Sequence, residues 1–349
     1  MEHEHALADT APSTTWREVI PADEAQRFEA CIQEMTRYQQ AFARRGDGQA
    51  HRGFHVKSHA GLEAEFRVLE NLPSAARHGI FKESRSFKAW VRLTNGFSSA
   101  QHDCYPDLLG FAVKLRGVEG AKLLAGQEHA DTQDFLALNH AYVPAADAVE
   151  LMVMSMAAAT PLAAPFKMAR RLGVARAMQS LLWTLHWLPR RLLLRSIAEE
   201  GFHSLTPMTI GPHAVKFMWC PRSPATEAPR SWHRNHLRDE LKQRLTRGAI
   251  RYDFLVQFYA DDHKTPIDGT FAWRPEDAPW VKLAELIIPP CDLDAAQSRR
   301  TEAWLDSVSF NPWHAIAEHR PIGNVQRGRR VIYEGSAKLR GRAPDPVSD

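Results

Sequence analysis

Apolar residues recur along this chain in two rhythms. Between Asp23 and Gly46, Phe28, Cys31, Met35, Tyr38 and Phe42 fall three or four residues apart, which predicts an amphipathic helix stopped by glycine. From His51 to Tyr142 the runs are short and rich in aromatic and branched residues: EFRVL, FKAWVRLT, GFAVKL and DFLALN, separated by Gly, Asn and Asp. They predict strands of one sheet or barrel. Residues 146–200 return to long helical stretches, interrupted by Pro161, Pro165 and Pro189. Strand patterns resume in HAVKFMWC, IRYDFLVQFYA and WVKLAELIIPP, and DAAQSRRTEAWLDSV reads as a further helix. The class is α+β: an antiparallel sheet or barrel covered by helices.

No repeat and no Gly/Ser linker divides the chain, so one domain over 21–342 is expected, with a disordered tail over 1–20 and a short tail over 343–349. His3 and His5 lie in the first tail. None of the helical stretch 146–200 supplies about 18 uninterrupted apolar residues, so it spans no bilayer. It reads as core-packing helices, although Arg170–Arg171 and Arg190–Arg191 beside Trp183, Trp187 and Leu192–Leu194 also mark a face for peripheral membrane contact over 165–195. The start lacks a basic region followed by an apolar one, and a cytoplasmic location is expected. Four cysteines without CxxC spacing read as reduced thiols. A net charge of +3 gives no reason to expect nucleic acid and leaves small molecules as the ligands to consider.

The chemistry-bearing residues are few. His59 stands at the mouth of a strand in HVKSHAGLEAEFRV, placed to pass protons near neutral pH. Arg92 and Thr94 alternate in WVRLTNG, so a cation and a hydroxyl share one strand face. Asn139 ends the apolar run of QDFLALN. Near the C-terminus, RGRRVIYEGSAKLRGR sets Tyr333 among arginines, Arg329 four residues before it and Arg340 seven after. As a basic run this segment reads first as a solvated face.

Taken in order, HVKSHAGLEAEF, VRLTNG, DLLGFAVK, DFLALN and GRRVIYEGSAKLR resemble the haem catalase superfamily, especially its short bacterial catalase-related peroxidase branch. The resemblance covers about residues 50–145 and 200–342, and SFNPWHAIAEHRPIGNVQRGRRVIY is its most specific part. It implies a catalase-type β-barrel holding haem b. His59 matches the distal histidine, Thr94 its hydroxyl partner, Asn139 the distal asparagine and Arg92 a propionate-binding arginine. Tyr333 matches the axial ligand of the haem iron, with Arg329 and Arg340 at the family's spacings. A free phenol titrates near about 10, so a ligand tyrosine needs a neighbouring cation to become phenolate. Arg329, one helical turn away, can supply it, and Arg340, two turns beyond, can address a propionate. The arginine expected three residues before the distal histidine is replaced by Val56, with Lys57 beside it as a substitute charge, and Leu109 stands where an arginine is usual.

The resemblance implies a peroxide-decomposing enzyme acting on hydrogen peroxide or small organic hydroperoxides: a catalase, or a peroxidase drawing on an organic electron donor. His59 would carry the proton and Asn139 orient the peroxide. The Leu- and Trp-rich insert suits an alternative, a fatty-acid hydroperoxide-converting haem enzyme of the allene-oxide-synthase type. A non-catalytic haem- or lipid-binding protein is the third reading. The arms of larger tetrameric catalases are missing, so a dimer or monomer is expected.

Overall fold

The computed structural model describes residues 12–45, 48–105, 107–158, 160–222, 232–343 and 345–346. Helix α1 (Glu24–Arg45) leads into β1 (Ser58–Val68), β2 (Ser86–Asn95), β3 (Leu109–Arg116) and β4 (Thr132–Leu138). Three helices follow, α2 (Ala148–Ala158), α3 (Ala164–Leu172) and α4 (Val174–Leu193). Then come β5 (Phe202–His203), β6 (Met208–Ile210), β7 (His213–Pro221), α5 (His236–Arg247), β8 (Ile250–Phe258), β9 (Val281–Ile288), α6 (Ala296–Ser307) and α7 (Asn324–Leu339). The strands hydrogen-bond in the order β5-β4-β3-β2-β1-β9-β8-β7-β6, and β5 also pairs with β7. That last pairing closes an antiparallel barrel of eight strands, with β6 appended to β7. Closure removes the open edges that would otherwise invite pairing with another chain.

Each strand of the predicted set forms, and the alternation explains the two barrel faces. Lumen-facing Phe66, Phe111, Phe135, Trp219, Tyr252 and Phe254 are almost wholly buried. Most of their rings meet edge to face or tilted, Trp219 to Phe254 at 4.8 Å and Phe111 to Tyr252 at 4.9 Å, while Phe66 stacks on Phe135 at 6.2 Å. Such contacts fill the lumen. These side chains occupy the barrel interior, and the cavity described below lies outside it.

The outward faces of β2, β3 and β4 supply that place. Arg92 pairs with Ala112 and Ala112 with Leu136; Thr94 pairs with Gly110 and Gly110 with Leu138. Two rows therefore cross the sheet, each polar on β2, small on β3 and apolar on β4. Helix α7 and the segment from α2 to α4 cover this shallow trough. Within that segment Gly173, at φ +88°, turns the chain between α3 and α4, and α4 runs through Pro189 to Leu193.

Both expected tails are anchored where they are described. Trp16 Nε1 donates to the Pro212 carbonyl, and Glu18 pairs with Arg320 and Arg327. Asp345 is buried against Lys114 at 2.9 Å and His314 at 2.9 Å. Residues 1–11, with His3 and His5, lie outside the described residues, as do 344 and 347–349. The four cysteines are free, Cys31 buried and its thiol pushed up to about 11 by burial.

Candidate active site

The trough opens into a cavity of about 380 Å³. Its volume falls in the range of ligand pockets. Arg92, Thr94, Tyr333, Arg329 and Arg340 all line it, so five of the residues singled out in the sequence converge from β2, α7 and the residue that follows α7.

Two histidines line the cavity, His55 at its cationic end and His203 in the apolar arm; His59 does not. His55 sits just before β1 with φ +58°, a backbone conformation uncommon for residues other than glycine. Three contacts hold it there. Its N–H donates to the Gly96 carbonyl at 3.0 Å, its carbonyl accepts from Arg92 Nη1 at 3.0 Å, and its Nδ1 lies 3.0 Å from Thr94 Oγ1. Gly110 is the surface beneath the pair. A Cβ at Gly110 would stand 2.5 Å from His55 Nδ1 and 2.6 Å from Thr94 Oγ1. Only glycine leaves the imidazole and the hydroxyl where they are. Burial, then the charges of Arg92, Arg329 and Arg52, lower the imidazole pKa to about 3. His55 is therefore a neutral imidazole at neutral pH, with one nitrogen committed to Thr94.

His59 occupies the bulge where the β1–β2 register shifts between Ser58 and Ala60. The extra residue turns its ring into the protein rather than toward the trough. It is fully buried, its Nε2 lies 2.7 Å from Asn95 Oδ1, and its Nδ1 is 4.0 Å from Asp103. Burial lowers its pKa to about 4. Lys57 also points away: Nζ donates to Asp103 and to the Gln101 and Arg234 carbonyls. Asn139 is a latch between strands and helices, its Oδ1 accepting from Leu109 N at 2.8 Å and its Nδ2 donating to Glu200 at 2.9 Å. Neither Lys57, His59 nor Asn139 lines the cavity, and no asparagine does among the described residues.

Two lining residues lay unread in the sequence. Arg52 stands three residues before His55, the spacing sought unsuccessfully before His59; R-x-x-H over Arg52–His55 was the available signal. Asp107, in the β2–β3 connection, accepts from Phe97 N at 3.0 Å, and burial pushes its carboxyl up to about 7. A buried aspartate in a loop gives no such signal.

The cations gather at one end. Arg52 Nη2 donates to the Leu305, Asp306 and Val308 carbonyls, and Arg340 to those of Asp306, Ser307 and Val308. Arg92 Nε donates to Asp306 Oδ1 at 2.8 Å. The C-terminus of α6 and one carboxylate thus hold three guanidiniums. Burial, then Arg92 and Arg340, push Arg52 well below its usual range, and burial followed by Arg92 and Arg342 lowers Arg340 to about 10. An anionic ligand with two carboxylates would relieve this repulsion.

Tyr333 stands on α7, its ring 5.1 Å from the Arg329 guanidinium carbon. Its hydroxyl makes no hydrogen bond among the described residues. The other arginines of this segment are not a solvated face. Arg327 pairs with Glu18 and Glu24, Arg330 lies 4.9 Å over the Trp313 ring, and Arg342 donates to Ser309 Oγ. They fasten α7 to the body, which fixes the position of Tyr333.

Away from the cations the lining is mainly apolar, with Ser155, Ser180, Thr184 and His203 among it. Met154, Met168, Leu181, Trp183 and Trp187 carry the cavity between α2, α3 and α4. Trp183 and Trp187 pack on each other at 5.7 Å and on His140 at 5.3 and 5.1 Å.

No protein-family profile and no curated protein sequence matches the chain. Its structure is similar to solved catalases. Over 95% of its length it superposes on a bacterial catalase at TM-score 0.66 and 14% identity, and on a fungal catalase at 0.67 and 10%. Catalase A from Saccharomyces cerevisiae gives 0.66 at 12% identity. The chain spans 64 to 68% of the length of those proteins. The likeness establishes the fold, a catalase-type barrel with surrounding helices.

Proposed function

We propose that this chain is a haem-dependent, peroxide-decomposing enzyme, with the iron ligated by Tyr333. The observation that carries the reading is one cavity bounded by an unengaged tyrosine hydroxyl beside Arg329, a neutral histidine bonded to a threonine, and three converging arginines. Haem b fits these residues: Tyr333 offers the anionic oxygen donor and Arg52, Arg92 and Arg340 receive the two carboxylates. When bound, haem supplies the redox centre at which the O–O bond is cleaved. The catalase names of its structural neighbours agree with this chemistry.

The protein's own part is proton handling. His55 accepts the hydroperoxide proton at Nε2 while its Nδ1–H donates to Thr94, then returns that proton to the leaving oxygen. Arg92, through the His55 carbonyl, keeps the ring in place. With Asn139 turned away, no side-chain amide among the described residues lines the cavity to orient the peroxide. Orientation falls to His55 and to the shape of the apolar wall.

That wall favours a second reading of the substrate. The arm lined by Met154, Met168, Leu181 and Trp187 has room and polarity for an acyl chain, which suits fatty-acid hydroperoxides. A panel of hydrogen peroxide, cumene hydroperoxide and a fatty-acid hydroperoxide, read for peroxide loss, oxygen and organic product, tests both. Oxygen from hydrogen peroxide makes it a catalase; consumption of the fatty-acid hydroperoxide without a reductant makes it an isomerase or dehydratase. Haem-loaded protein that consumes none of them refutes the enzyme reading.

A further inference from the structure

Helices α3 and α4 turn one face to the cavity and leave the other uncovered. Val174, Met178, Leu182, Leu185 and Leu193 are exposed along α4 at intervals that keep them on one side, and Leu162 and Phe166 extend the patch before it. Seven of the fourteen large apolar residues exposed among the described residues lie within 162–193, so the exposure is concentrated. A patch of this kind marks an interaction surface.

Its charge is of one sign. Residues 160–195 contain seven Lys or Arg and no Asp or Glu, in a chain whose totals, these included, are 44 against 41. Lys167, Arg170 and Arg195 are exposed and pair with no carboxylate among the described residues. Arg171 and Arg190 reach Glu34 and Glu200 on other segments. Two copies meeting through this face would bring like charges together. An anionic, partly apolar surface complements it.

We propose that the α3–α4 face docks in the plane of a bilayer containing anionic lipid. The exposed stripe on α4 enters the boundary between headgroups and acyl chains while Lys167, Arg170 and Arg195 meet the phosphates. The described helices include none long and apolar enough to cross a membrane, so contact is along the surface. Ala164, Pro165 and Met168 on α3, and Leu181 and Trp183 on α4, line the cavity. If the haem reading holds, docking sets the apolar arm beside the source of lipid hydroperoxides; the docking itself does not depend on that reading.

Flotation of the full chain with phosphatidylcholine vesicles, with and without phosphatidylglycerol, reads binding without any turnover. The expected result is recovery with the phosphatidylglycerol vesicles, at least about tenfold weaker on phosphatidylcholine alone and weakened by high salt. The double variant Met178→Glu/Leu182→Glu, neither residue lining the cavity, should lose this binding with its thermal midpoint unchanged. Arg170→Gln/Arg195→Gln should weaken it and serves where the first pair fails to fold. Failure of the native chain to float, equal binding to both vesicle types, or unaltered binding by folded variants overturns the proposal. So does a dimer in light scattering that the same substitutions dissolve, which would make the face an interface between copies.

Discussion

The two ends of the cavity are made of different materials. At one end Arg52, His55, Arg92, Thr94 and Arg340 are fixed by hydrogen bonds to backbone or to one another. At the other, the arm between α2 and α4 is walled by methionines, leucines and two tryptophans with little directional bonding. Hydrogen bonds with defined geometry fix where a proton goes; flexible apolar side chains accept many shapes. The first end sets the reaction and the second chooses what reaches it. Substitutions in the first should hit every peroxide alike, and those in the second only bulky ones.

The largest expected effect is from His55→Ala. Haem-loaded protein should keep its cofactor and lose about 10²–10⁴-fold in turnover for every substrate of the panel. His59→Ala should stay within a few-fold in protein that folds, because His59 bonds to Asn95 away from the cavity. A reversal would return the proton shuttle to His59.

Gly110→Ala follows, with a loss on the order of tenfold or more, because the added methyl group displaces the His55–Thr94 pair. In a His55→Ala background the same change should cost little further turnover. Independent, multiplying losses would mean that Gly110 acts elsewhere.

The arm has its own acid sensitivity. Burial, followed by nearby charges, lowers His140 and His203 to about 4. The unfolded chain therefore binds more protons than the folded one from pH 6.5 down to about 4. Their stabilisation is complete above pH 6.5 and is lost as pH falls through that window, at most about 3 kcal/mol for each histidine. Thermal midpoints should fall between pH 6.5 and 4.5, and His140→Gln should flatten the slope. An unchanged slope in folded His140→Gln would remove His140 from this role.

The smallest effect is selective. Ala164→Leu should raise the KM for a fatty-acid hydroperoxide several-fold and leave that for hydrogen peroxide unchanged, the signature of a filled arm rather than a damaged centre. Equal changes for both substrates would erase the division between the two ends.

The barrel strands were legible because alternation survives in single segments such as FKAWVRLT, whose Arg92 and Thr94 do share the trough. So was the convergence of Arg329, Tyr333 and Arg340, since helical spacing carries it. Barrel closure through β5 and β7 was not, because a two-residue strand leaves no pattern. The bulge hid the choice between His55 and His59. It depends on register, which neighbouring histidines in HVKSH cannot declare. Asn139 failed for a similar reason: at the end of β4 its direction is set by Leu109 and Glu200, neither of which the local sequence identifies. The arginines around Tyr333 looked solvated because their partners Glu18, Glu24 and Trp313 come from other parts of the chain.

The most direct test of the central claim is a haem titration of the purified chain and of Tyr333→Phe, followed by absorption. The native chain should take up one haem per chain and show a ferric–phenolate spectrum, and Tyr333→Phe should lose that spectrum and most of its affinity for haem. A native chain that stays colourless with ample haem, or a Tyr333→Phe spectrum identical to the native one, would contradict a haem held by this tyrosine.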